Sequence, residues 1–208
     1  MQTLAVQPAE VLGFWFGDAV VSPTRADARS GFWFGGTPSL DAEITARFGA
    51  AVASARSGAL DAWAAVPRGA LAVVILIDQF SRNVHRGAAA AFAADAHALA
   101  ITQRAIDGGL MSRLAPIEQG FLAMPFQHAE SRTAQQQGIR AYERIVADAP
   151  FEWRGVLGGF LASAREHAQT VERFGRFPHR NAILGRASTS DEEAFLAAGA
   201  KRYGQARA

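Results

Sequence analysis

Between Trp153 and Arg173, the apolar residues Leu157, Phe160, Leu161, Ala164, Ala168 and Val171 recur at spacings of three and four. That period places them on one face of a helix and scatters them over both faces of a strand. Gly175 and Pro178 end the pattern. A helix with one long apolar stripe must be covered by another apolar element, so the rest of the chain has to supply a matching surface.

Most other segments supply it with the same period. Pro8 suits a first helical position, Val11, Leu12 and Trp15 share a face, and Gly17 is a stop. Leu40, Ile44, Phe48, Ala51, Val52 and Ala55 form a second stripe, capped by Thr37 or Ser39 and ended by Gly58. Residues 88–107 read as a helix with Phe92, Leu99 and Ile106 at heptad spacing and Gly108–Gly109 as its stop. Pro116 opens a short helix through Ile117, Phe121 and Leu122 that Pro125 ends or kinks, and 132–147 carry Ile139, Tyr142 and Ile145. In STSDEE, Thr189 with Glu192 and Ser190 with Glu193 both fit a capping box for a last helix containing Phe195 and Leu196. The stretch Ser22 to Thr37, rich in glycine and with Pro23 near its start, reads as a loop anchored by Trp33 and Phe34.

Ala70 to Phe80 is apolar almost all round, and its β-branched residues Val73, Val74, Ile75 and Ile77 would also suit a buried strand. Pro67 as a helix start and helical neighbours on both sides favour a buried helix. The expectation is an all-α single domain over 1–208, of about eight helices packed as antiparallel pairs, with no significant sheet. The Gly158–Gly159 pair inside the 153–173 helix reads as a place for close packing against a neighbour.

With no cysteine among 208 residues, disulfides, thiol catalysis and Cys-ligated zinc are excluded. No apolar run has the ~20 residues of a membrane span, and the N-terminus lacks a leader's basic start and apolar stretch, so no membrane and a cytoplasmic location are expected. A formal charge of only +2, not gathered into a stripe, argues against nucleic acid. Nucleophile-elbow, Walker and dinucleotide fingerprints are missing.

The residues able to carry chemistry gather in two segments read as loops after helix ends. DQFSRNVHRG, residues 78–87, holds Arg82, Asn83 and Arg86; RFGRFPHRN, residues 173–181, holds Arg176, His179, Arg180 and Asn181. Arg offers a planar fork suited to carboxylate or phosphate, and several converging forks make an anion site. Internal pairing is the alternative: Asp78 reaches Arg82 if the helix runs that far, and Glu130 or Glu172 would neutralise another Arg. His167 lies on the buried face of its helix, the position of a satisfied core histidine. In PFQHAE, His128 and Glu130 form H-x-E, part of a zinc-deaminase signature, but the required PCxxC is absent. Without helical His-x-x-x-His or Glu-x-x-His spacing, neither a metal nor a cofactor is expected. His128, Glu130, His167 and His179 stay as acid/base candidates, while His85 and His97 are weaker ones.

FWF at 14–16, WF at 33–34, ILIDQFSRNVHRG at 75–87, PFQHAE at 125–130 and RFGRFPHRNAILGRAST at 173–189 together resemble a bacterial family, domain of unknown function 924. The resemblance runs from about Val11 to Leu196. It implies a tetratricopeptide-like helical fold and brings no substrate or reaction. Ser81 stands where the family commonly has Pro, and Gln127 where Met is usual; neither change removes an Arg or His from the candidate set.

Three readings follow. The first is a binding protein that holds a small anionic or polar ligand, such as a phosphorylated or carboxylated metabolite or an acidic peptide end, among Arg82, Asn83, Arg86, Arg176, His179, Arg180 and Asn181. The second is a hydrolase-like enzyme in which His128, His167 or His179 acts as acid or base and Glu130 orients an imidazole. The third is a protein–protein interaction scaffold whose polar motifs only brace the fold. A closed pocket with a His–Glu bond would favour the enzyme, inward Arg heads the binding protein, and fully paired Arg residues the scaffold.

Overall fold

A computed structural model describes residues 6–199 and contains helices and turns with no strand among them. The leaderless reading of the N-terminus and the two ends of the 1–208 span therefore fall partly outside the described residues. No described helix is long and apolar enough to cross a membrane.

Three helices, α1 (Pro8–Phe16), α2 (Pro23–Phe34) and α3 (Pro38–Arg56), each begin with proline in the first turn. For α2 this corrects the loop reading of Ser22 to Thr37. Ser22 accepts a hydrogen bond from the Arg25 amide, Pro23 supplies a preset φ, and Gly31 is tolerated within the helix. Tertiary contacts complete it: Trp33 Nε1 and Arg29 Nε both donate to the Trp15 carbonyl, at 2.8 and 2.7 Å. These bonds satisfy a carbonyl near the C-terminus of α1, where no intrahelical donor remains.

The centre of the molecule is a rod formed by α4 (Pro67–Val74), a π-helical turn (Ile75–Phe80) and α5 (Ser81–Val84). Every residue from Gly69 to Ser81 is buried, which explains why this stretch is apolar all round. Around it pack α1, α3, α6 (Asp95–Asp107) and α7 (Pro116–Leu122). The apolar run is thus helical as expected, but helix continues through Val84, so most of 78–87 is rod and not loop. The second polar segment is likewise part helix, since α10 (Arg154–Phe174) runs to Phe174 and Pro178–Arg180 forms a 3₁₀ turn. The helix expected over 88–107 begins only at Asp95, after a short 3₁₀ turn at Ala89–Ala91, leaving Phe92 in the connection.

The remaining α-helices are α8 (Met124–His128), α9 (Arg132–Asp148) and α11 (Ser190–Ala197). A short connection folds α10 back along α9 in the most extensive helix pairing of the molecule. Thr189 and Glu192 form the expected capping box of α11.

The rod is seated so closely that Gly69 leaves no room for a side chain. A Cβ there would lie 1.9 Å from the Trp63 carbonyl oxygen, a backbone atom that cannot swing aside. Gly69→Ala should therefore lower stability by about 1–3 kcal/mol in urea denaturation, the range for overpacking, despite alanine's better helix propensity.

Candidate functional site

Beside the π turn lies a cavity of about 400 Å³. Its walls come from the C-terminal end of α2 (Trp33, Phe34), the rod (Gln79, Arg82, Asn83), the end of α8 (Gln127, His128) and the middle of α10 (Gly159, Ser163, Glu166, His167). Arg86, Phe92, His179 and Arg180 close it. The two polar segments, nearly a hundred residues apart in sequence, do meet around one space. Their connection is direct: Arg82 and Arg180 both reach Asp95 Oδ2, at 3.0 and 3.3 Å.

Asp78 is the buried centre of this chemistry. A wider π turn occurs often at functional sites, and here it carries a carboxylate with no exposed surface inside the buried rod. His128 Nδ1 lies 2.7 Å from Asp78 Oδ1, Gln79 Nε2 donates to Oδ2 at 2.6 Å, and Arg82 stands 3.3 Å from Oδ1 while also donating to the Asp78 carbonyl at 2.6 Å. Burial opposes the charge on Asp78. The His128 imidazole, the Arg82 guanidinium and these hydrogen bonds more than offset that cost and hold its pKa well below the usual carboxylate range.

His128 is placed by the end of α8, whose carbonyls at Gln127 and, just beyond, Ala129 both accept from Gln135 Nε2 at 2.8 Å. Burial, then the charge of Arg82, pushes its pKa below the ordinary imidazole value, outweighing the pull of Asp78. The imidazole is therefore neutral at neutral pH. An ionised carboxylate only accepts, so Nδ1 carries the proton and Nε2 keeps its lone pair. His167 is neutral for a similar reason: burial takes its pKa down to about 3. Its Nδ1 donates to the Ser163 carbonyl one turn back at 2.7 Å, and its ring centre is 6.2 Å from that of His128. His167 is thus both a core residue and a wall of the cavity.

Arg180 is only 5% exposed. Its guanidinium carbon lies 4.5 Å from the centre of the Phe92 ring and 4.6 Å from that of Phe177. Its carboxylate partner, Asp95, is shared with Arg82, and its Nε carries no hydrogen bond. Burial pulls its pKa down to about 10 against the support of Asp95, which leaves it cationic at neutral pH.

The other sequence candidates divide cleanly. Asn83 and Arg86 line the cavity but are tied to Asp41, Arg86 through a two-point contact at 2.6 and 2.8 Å. Arg176 and Asn181 lie outside it, holding Glu192 at the start of α11. Glu130 also lies outside, where it receives Arg186 at 2.6 and 2.9 Å and caps the Phe177 amide. The carboxylate that orients an imidazole is consequently Asp78 and not Glu130. Sequence reasoning missed Asp78, Asp95 and Phe92 as site residues; an acidic residue within an apolar run was the available signal for the first. Gly158 and Gly159 are a further correction. A Cβ at either meets nothing within 4 Å, so the pair does not mediate close packing, and Gly159 borders the cavity. Among the described residues, no three His, Asp or Glu side chains are grouped as metal ligands.

Comparison with known proteins agrees with this architecture. A family model described as bacterial protein of unknown function (DUF924) matches residues 11–200. The chain is similar to a solved structure of a protein of unknown function from Agrobacterium tumefaciens, with 32% identity and a TM-score of 0.76, covering 91% of this chain and 96% of that one. No curated protein matches.

Proposed function

The chain belongs to the DUF924 family of bacterial proteins of unknown function, and from that premise we propose that its cavity binds a small organic anion, with Arg180 as the principal contact. The observation that carries this reading is a buried guanidinium flanked by two aromatic rings, sharing one carboxylate with a second arginine and leaving Nε without a partner. Burying a cation with incomplete pairing is costly, and an anionic oxygen is the group that offsets it best. The cavity volume of about 400 Å³ lies in the range of small-molecule sites and favours a metabolite over a peptide end. Trp33, Phe34 and Phe92 add the apolar surface such sites use.

A second reading is favoured by the Asp78–His128 pair. A buried carboxylate that fixes an imidazole with its Nε2 lone pair available is the arrangement of a general base. In that case the bound anion is a substrate, and His128 accepts a proton from it.

Titration calorimetry and thermal shift against a panel of carboxylates and phosphate monoesters test the first reading. Arg180→Gln should weaken the best binder roughly 10- to 100-fold, the loss of one charge-assisted hydrogen bond, while the protein stays folded. A wild-type protein that binds none of the panel, or a variant that binds as well as wild type, would overturn it.

A further inference from the structure

The polar cavity does not end at α10. A second hollow of about 310 Å³ lies between α2 and α10, and the two share Trp33, Phe34, Gln127, Gly159 and Ser163 as walls. Its remaining walls are Ala26, Val156 and Phe160, with Asp27 and Ser30 where it meets solvent. Gly159 stands at the junction, and a Cβ there meets nothing within 4 Å. A side chain at this exposed helix position would extend into open space that both hollows border. Glycine keeps it open at a cost in helix propensity of about 1 kcal/mol relative to alanine. Phe34, which borders both spaces, is 56% exposed although it is a large aromatic residue. Its ring centre stands 6.2 Å from that of Phe121 and 6.3 Å from that of Phe160. An uncovered aromatic at the meeting point of a charged chamber and an apolar one is suited to a ligand that spans both.

We infer that the natural ligand is an amphipathic anion, with its oxyanion head beside Arg180 and His128 and an unbranched alkyl tail passing Gly159 into the hollow between α2 and α10. This rests on the anion reading for the head and adds the tail. The tail is an alkyl chain because the hollow is reached past a single glycine and bounded by Val156, Phe160 and Trp33, surfaces that offer contact to methylenes and few partners to polar groups.

The test is a homologous series, straight-chain carboxylates from butyrate to decanoate, titrated calorimetrically into the full chain, with alkyl phosphates as a parallel series to identify the head. Affinity should rise roughly fourfold per added methylene until the hollow is filled, then level off. Val156 borders only the hollow, so Val156→Asp should abolish the dependence on length and leave butyrate binding unchanged. Gly159→Leu should shorten the longest chain that still gains affinity. Its melting temperature should be no lower than that of the wild type, which shows that the passage and not the fold has been altered. Carboxylates that bind through Arg180 with the same affinity at every length would overturn the tail assignment and leave the anion reading standing. A length dependence that survives Val156→Asp would also overturn it. If alkyl alcohols bind as tightly as the acids and Arg180→Gln is silent, the anion reading fails and the apolar hollow stands. Either oxyanion series showing the rise supports the inference.

Discussion

Arg82→Met is expected to cost the fold about 3–5 kcal/mol, the typical penalty for removing one partner from a buried ionic cluster. The Arg82 side chain is 16% exposed and joins two carboxylates that are no more accessible, Asp78 at 3.3 Å and Asp95 at 3.0 Å. Methionine replaces the aliphatic stem well enough to avoid a cavity, so the loss isolates the charge. Without the guanidinium, Asp78 keeps His128 and Gln79, and Asp95 keeps the longer contact to Arg180. In the wild type, Arg82 helps hold the Asp78 carboxyl pKa below its unfolded value. A group depressed in the folded state stabilises above its unfolded pKa and loses that contribution as pH falls through the folded value, so the stabilisation that the variant forfeits is present only above the acid range. The variant's deficit should therefore be largest near neutral pH and shrink in acid, which urea denaturation at several pH values will show. An exposed pair offers the contrast: Arg47→Met, which breaks the half-exposed contact to Glu43 and removes the guanidinium 4.5 and 5.1 Å from the centres of the Phe14 and Phe48 rings, should cost only about 1 kcal/mol. Equal losses at Arg82 and Arg47 would mean that the cluster is solvated and that its charges are not buried.

Local sequence carried the helices because their causes are local. The stripe at Leu157 to Val171, the cap at Thr189–Glu192 and the stop at Gly175, whose φ of 72° suits glycine, all act within a few residues. The α2 segment was misread because glycine and proline density is a poor guide when Pro23 sits in the first turn and the helix is fastened by Arg29 and Trp33 to a carbonyl of α1. The site was legible as a composition and not as a wiring diagram. Arg82, Arg180 and His128 were found because polar residues beside helix ends are conspicuous. Of their carboxylates, Asp78 was legible only as the helical partner of Arg82, a contact that forms at 3.3 Å, and Glu130 only as the partner of an unspecified arginine. The longer pairings were not legible, since His128 meets Asp78 across 50 residues, Glu130 meets Arg186 across 56, and Arg180 meets Asp95 across 85. No periodicity links such pairs, so sequence could not separate the arginines that face the cavity from those that lock α11 in place. The π turn has no local signature in the apolar run either, although it sets the position of Asp78.

Anion binding should take up a proton, and affinity should rise as pH falls. The buried charges beside the cavity are Arg82 and Arg180 against Asp78 and Asp95, which balance while His128 is neutral. An added anion leaves one negative charge in excess within a poorly solvated space. Protonating His128 Nε2 removes that excess and gives the anion a donor, so the bound state has the higher imidazole pKa. Affinity then improves by up to about tenfold per pH unit between the bound and free pKa values, and levels off below the free one. Calorimetry in buffers of differing ionisation enthalpy should count about one proton taken up per anion inside that window. The neighbouring titratable groups must be kept apart from this effect. His167 is held neutral by burial down to about pH 3, whereas Glu166 and His179 also border the cavity. His128→Asn separates them, because an amide nitrogen can still donate to Asp78 but cannot take up the proton. It should bind the anion with an affinity almost independent of pH. A wild-type affinity that is flat from about pH 8 to pH 5, or the same slope in His128→Asn, would remove His128 from the site. The sign also divides the two readings of the pocket. A partner for a bound anion works better as pH falls, whereas a general base loses its lone pair over the same range, so turnover that rises with pH while affinity declines would make the ligand a substrate.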